Sequence, residues 1–166
     1  MKNLTYLIIV LILSSACGQV YFTEPSPQRG VKLKTFPESI QGTYTDSTLQ
    51  IVITSDSISV FDENYKLTKN DAGTGEVNVR FYQNMYFASF KDSLYYSVYM
   101  GGFYDNKLAV YMLNADERSI NILSRFVEID TLDVEKEHYL INPSKTEFDA
   151  IINNELFDVV EVLEKE

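Results

Sequence analysis

From Gly42 to about Val127 the chain alternates apolar and polar positions in short runs, each closed by residues that favour turns. Leu49, Ile51 and Ile53 alternate with Gln50 and Thr54, and Ile58 and Val60 repeat the spacing of two after Ser55-Asp56. Beyond the loop Asn70-Asp71-Ala72-Gly73-Thr74-Gly75, Val77, Val79 and Phe81 alternate with Asn78, Arg80 and Tyr82. Gln83-Asn84 then leads into Met85–Phe90, Lys91-Asp92 into Ser93–Met100, and Asp105-Asn106 into Lys107–Leu113. A last run, Ser119–Val127, sets Ile120, Ile122 and Phe126 on one face and reads as another strand. A period of two, with turn residues every 8–12 positions or so, predicts an antiparallel meander. Connections this short exclude parallel crossovers, which need about a dozen residues or more.

The C-terminal stretch changes period. Pro143-Ser144 precedes Lys145-Thr146-Glu147, the Ser-x-x-Glu spacing of a capping box. Phe148, Ile151 and Ile152 follow at helical spacing and Asn153-Asn154 supplies a stop, so a short helix is expected over about 144–153. Phe157, Val159, Glu161 and Leu163 then suggest a closing strand of mixed pattern, with a continued helix as the alternative. The fold class expected is mostly β: an antiparallel meander forming a barrel or flattened sandwich, with one short C-terminal helix.

The stretch Phe36-Pro37-Glu38-Ser39-Ile40-Gln41-Gly42-Thr43-Tyr44 resembles the domain opening of lipocalin-like β-barrels found among small lipoproteins of Bacteroidota-type bacteria. Tyr44 stands where the Gly-x-Trp opening of lipocalins has Trp. The resemblance covers about residues 36–163 and implies a closed sheet that removes exposed edges and can leave a central cavity. It transfers no binding residues.

The first segment bears on location. Met1-Lys2-Asn3, the apolar run Leu4–Leu13 and Ser14-Ser15-Ala16-Cys17-Gly18 form the three parts of a secretory signal peptide. The run is half the roughly 20 residues that a spanning helix needs. Ser14-Ser15-Ala16-Cys17 resembles a lipobox, in which the Cys is acylated and becomes the first mature residue; the aliphatic residue stands one position early, at Leu13. Ordinary cleavage after Ala16 also satisfies the small-x-small rule. Cys17 is the single cysteine of the chain, so an internal disulfide is impossible and acylation gives the thiol a use. The organisation expected is a signal peptide over 1–16, a lipid-anchored extended tether over 17–35 containing Pro25, Pro27 and Gly30, its end either free or pinned to the fold, and a β domain over 36–166. The location expected is the cell envelope, with the outer membrane favoured.

Composition narrows the partners. The formal net charge is −10, and loss of Lys2 with the leader makes the remainder one unit more negative. That balance argues against nucleic acid and against electrostatic docking on anionic lipid. The chain holds 12 Tyr and 10 Phe against 7 Gly and 4 Pro, which favours pleated, half-buried surfaces.

Catalytic chemistry is sparse. His138 is the single histidine, set in the charged stretch Asp133–His138, and Cys17 is committed to the anchor, so no soft-ligand zinc site can form in one chain. Any hydrolase triad would route its base through His138. Gly73-Thr74-Gly75 lacks the Lys-Ser/Thr of a P-loop and reads as a turn. Glu128-Ile129-Asp130 and Asp133-Val134-Glu135 offer hard oxygens for Ca²⁺, without the ordered ligand loop of an EF-hand. No metal, cofactor or catalytic residue is therefore assigned. The positive feature is aromatic: Tyr95 and Tyr99 share one side of their strand and Tyr111 lies on one side of the next. Their structural use is a second packed layer; their functional use is a cavity or patch for an amphipathic ligand or a partner. The function expected is non-enzymatic binding of a small amphipathic ligand in the envelope. The alternatives are an interaction module that pairs with another envelope protein through an aromatic face or sheet edge, and a hydrolase using carboxylates.

Overall fold

A computed structural model describes residues 18–62, 65–70, 77–92 and 94–166. In chain order the elements are β1 (Gln19–Phe22), β2 (Val31–Leu33), a 3₁₀ turn (Glu38–Ile40), β3 (Gly42–Thr45), β4 (Leu49–Ile53), β5 (Ser57–Asp62), β6 (Tyr65–Asn70), β7 (Val77–Tyr82), β8 (Met85–Asp92), β9 (Tyr95–Tyr104), β10 (Lys107–Leu113), α1 (Glu117–Leu123), β11 (Ile129–Asp133), β12 (His138–Ile141), α2 (Lys145–Asn153) and β13 (Phe157–Lys165). The strands make one curled sheet, a half-barrel that is antiparallel except where β1 runs parallel to β12. The expected mostly β class is what the chain adopts.

Strand β9 organises the sheet. One of its edges carries β8 from Tyr95 to Gly101; the other carries β10 from Tyr99 to Tyr104 and meets β1 at Tyr96. Beyond β10 the order continues β13, β3, β4, β5, β6, while β8 leads to β7 and then β2. Two tight turns make the central hairpins possible. Gln83 and Asn84 between β7 and β8, and Asp105 and Asn106 between β9 and β10, all have positive φ, the geometry whose twist matches that of flanking strands.

Alternation gives β8, β9 and β10 two apolar faces, each with its own core. Phe87, Val98, Met100 and Leu113 lie against Leu123 of α1 and Phe148 and Ile151 of α2, with Val20 and Phe22 of β1 in the same layer. The opposite face joins Val77, Val79 and Leu108 to Tyr44, Ile51 and Ile53 inside the curl. Helix α2 is placed by the capping box: Glu147 donates its backbone N–H to Ser144 Oγ, and Ser144 donates its N–H to Glu147 Oε2. Phe148, 2% exposed, then packs among Phe22, Phe87 and Phe157 with ring centroids 6.3, 5.5 and 6.2 Å away.

Two expectations are corrected. Residues 119–127 do not form a strand. Asp116 accepts the backbone N–H of Ser119 at 2.8 Å and caps α1, whose buried Ser119 and Leu123 sit one turn apart, followed by Val127. The spacing of Ile120 and Ile122 that suggests a strand is a by-product of that helical face. Helices therefore number two rather than one among the described residues.

Residues 19–33, read as tether, are built into the fold. Val20 and Phe22 are buried, Val31–Leu33 pair with Leu33↔Val79 through Val31↔Phe81, and Ser26 exchanges two 3.1 Å hydrogen bonds with the buried Ser89 hydroxyl. Arg80 donates to the carbonyls of Pro27 and Gln28, both at 3.0 Å, and Arg29 reaches Asp149 of α2 at 3.0 Å. The segment is extended, as its composition suggests, but the folded unit begins near Gln19 and not at Phe36. The charged stretch ending at His138 reads from its composition as a solvated edge or loop, and it is the exposed turn of a hairpin between β11 and β12 at the edge of the sheet. Residues 1–17, with Cys17 and the signal segment, and the turn at Gly73-Thr74-Gly75 lie outside the described residues.

Candidate binding site

The inner face of the half-barrel encloses a cavity of about 530 Å³. Its closed end is aromatic and aliphatic: Phe36 and Ile40 from the 3₁₀ segment, Ile53, Val79 and Leu108 are each at most 5% exposed. Tyr44 anchors this floor by donating its hydroxyl to the Ile40 carbonyl at 2.9 Å, which satisfies a phenol that would otherwise be buried without a partner. Burial also raises the Tyr44 pKa. Phe103 meets Tyr44 and Tyr86 edge to face at 5.5 and 5.4 Å. Gly42 lets β3 start here: its φ is +145°, and a Cβ would come within 2.6 Å of Lys165 Cε.

Register carries the opposite end away from this floor. Leu108 pairs with Phe103 near the bottom, Val110 with Gly101 above it, and Phe90 with Ser97 higher still. The rim reached this way holds Leu49, Lys91, Ser97, Tyr99, Val160 and Glu161. Polar groups are thus concentrated at the open end of an apolar chamber. Tyr99 packs edge to face on Phe90 at 5.7 Å, and burial first, then the neighbouring Tyr21, raise its hydroxyl pKa. Glu161 sits where β13 parts from β3. Desolvation and a hydrogen bond to Asp46 raise its pKa, whereas Asp46 is held low by the N–H groups of Thr48 and Leu49.

The three tyrosines singled out from the sequence do not share a face. Tyr99 lines the cavity, and Tyr95 lies on the same side of β9, beside the rim, where its ring is 6.4 Å from Tyr21. Tyr111 pairs with Met100, so it takes the other face of the sheet and packs in the helix-covered layer with Met85 and Ile152. Sequence reasoning missed other residues that gather beside the rim. Gln19 donates from Nε2 to Ser97 Oγ at 2.9 Å, and Tyr21 stacks edge-on with His138 at 5.5 Å. The alternation Gln19-Val20-Tyr21-Phe22 was the available signal.

Among the described residues no group of three or more His, Cys, Asp or Glu could hold a metal ion, and no helix is long and apolar enough to cross a membrane. The chain matches no family model, no curated protein and no solved structure.

Proposed function

We propose that this chain is a non-enzymatic binding protein of the cell envelope, anchored through acylated Cys17, whose half-barrel takes a small amphipathic ligand. The observation that carries the reading is the 530 Å³ cavity, apolar at its closed end and polar at its rim. Small-molecule sites have volumes of roughly 300–1,000 Å³, with mostly apolar walls and a few polar groups that fix orientation. An acyl or ring system would lie against Ile53, Val79 and Leu108, and its polar end would meet Lys91, Ser97 and the Tyr99 hydroxyl. On this reading the half-barrel is a lipocalin-like container.

The anchor and the cavity fit one another. Gln19 lies two residues after Cys17 and already bonds a rim residue, Ser97. Two extended residues span about 7 Å. An acyl group on Cys17 would therefore hold the rim close to the lipid surface, where amphipathic molecules are concentrated.

The test is a titration of the full chain with a fluorescent long-chain fatty acid. Saturable binding is expected, and Ala88→Trp, which fills the chamber from the wall of β8, should weaken it at least tenfold while thermal stability is kept. Binding that survives Ala88→Trp unchanged, or no saturable binding at all, would remove the cavity as a ligand site.

A further inference from the structure

We propose that the outer edge of β13, from Asp158 to Val162, is a docking strand for an extended segment of a partner protein that places a Lys or Arg between apolar residues. This stands apart from the ligand reading, and either can fail without the other.

On one side β13 pairs with β10 from Phe157↔Leu113 to Glu164↔Lys107. On the other side only Glu164 and Lys165 pair with β3, through Thr45 and Tyr44. Among the described residues, Phe157–Leu163 therefore has no strand along its outer edge. A free edge presents unpaired N–H and C=O groups in the spacing that an added strand needs.

The side chains of that edge are unusually apolar. Val159, Val160 and Val162 are 54%, 43% and 43% exposed. β-branched residues are suited to cross-strand packing. Here they face solvent beside the cavity rim.

Charge selects the occupant. Asp158 and Glu161 lie on this segment, which carries no basic residue, while Glu164 beyond it is already paired with Lys107 at 3.1 Å. The carboxylates of Glu161 and Asp46 lie near enough, at the fork between β13 and β3, to affect each other's protonation. Asp46 is fixed in place by the N–H groups of Thr48 at 2.7 Å and Leu49 at 2.8 Å. Two carboxylates held together repel unless a proton or a cation lies between them. An ammonium or guanidinium arriving on an added strand meets two neighbouring acceptors there. A second copy of this chain would bring acids against acids, so self-pairing is disfavoured.

The probe is a fluorescently labelled peptide of alternating Val and Thr with one central Lys, compared with the same peptide carrying Glu, each titrated against the full chain by anisotropy. The Lys peptide is expected to saturate and to bind at least tenfold tighter than the Glu peptide. Glu161→Lys should reverse that preference, a gain of binding that misfolding cannot produce. Should Glu161→Lys fail to fold, Val162→Lys puts the same repulsion on the edge and should weaken the Lys peptide at least tenfold. Equal binding of both peptides, no saturable binding, a preference unmoved by either variant, or a concentration-dependent dimer that buries this edge would overturn the proposal.

Discussion

Gln19 donates a hydrogen bond to Ser97, 78 residues further along the chain, and so fastens the first described strand to the rim of the cavity. Residues that composition marks as a linker are thereby part of the folded unit. The consequence is a sharp difference in how the protein tolerates change near its N-terminus. Phe22 is fully buried. Phe22→Ala should lower stability by about 3–5 kcal/mol, the usual cost of truncating a core aromatic. A free tether would lose nothing, and urea melts of the two chains separate the cases.

The capping box at Ser144 and Glu147 supports α2, and α2 covers the outer face of β8. Ser144→Ala should cost about 0.5–2 kcal/mol. The loss should be visible as a lower urea midpoint with an unchanged slope, because the native fold persists. An unaltered midpoint would mean that packing of Phe148 and Ile151 alone sets the helix.

Burial raises the pKa of both Tyr44 and Tyr99. The folded state then keeps these protons more tightly than the unfolded chain, whose tyrosines titrate near pH 10 or so. Their contribution is complete below that value and falls as pH rises from it through the higher folded values. Thermal midpoints measured from pH 9 upward should drop, and Tyr99→Phe should make the drop shallower. A flat profile in both chains would contradict the burial of these hydroxyls.

Cys17 carries the anchoring part of the proposal. Cys17→Ala should leave uncleaved precursor or release the protein from the membrane fraction. Normal processing with continued membrane retention would contradict acylation.

Much of the sheet was legible because alternation and turn chemistry are local. Val77, Val79 and Phe81 read as one face, and Gln83-Asn84 and Asp105-Asn106 adopt the positive φ that their residue types allow. The capping box was legible for the same reason. What failed depended on tertiary context. Ile120 and Ile122 fit a strand by spacing alone, and only the Asp116 cap tips the segment into a helix. Tyr111 was grouped with Tyr95 and Tyr99 because sequence shows alternation within a strand but not the register between strands, which puts Tyr111 opposite Met100. The cavity itself is invisible in sequence, since Ile53, Val79 and Leu108 would read alike beside a void or in a filled core.

The central claim is that this void holds a ligand. The most direct measurement is native against denaturing mass spectrometry of the full chain, extracted gently from its own membrane. A small amphipathic mass carried natively and lost on denaturation is the expected result. A bare polypeptide under both conditions, together with failure to retain an added long-chain fatty acid, would contradict it.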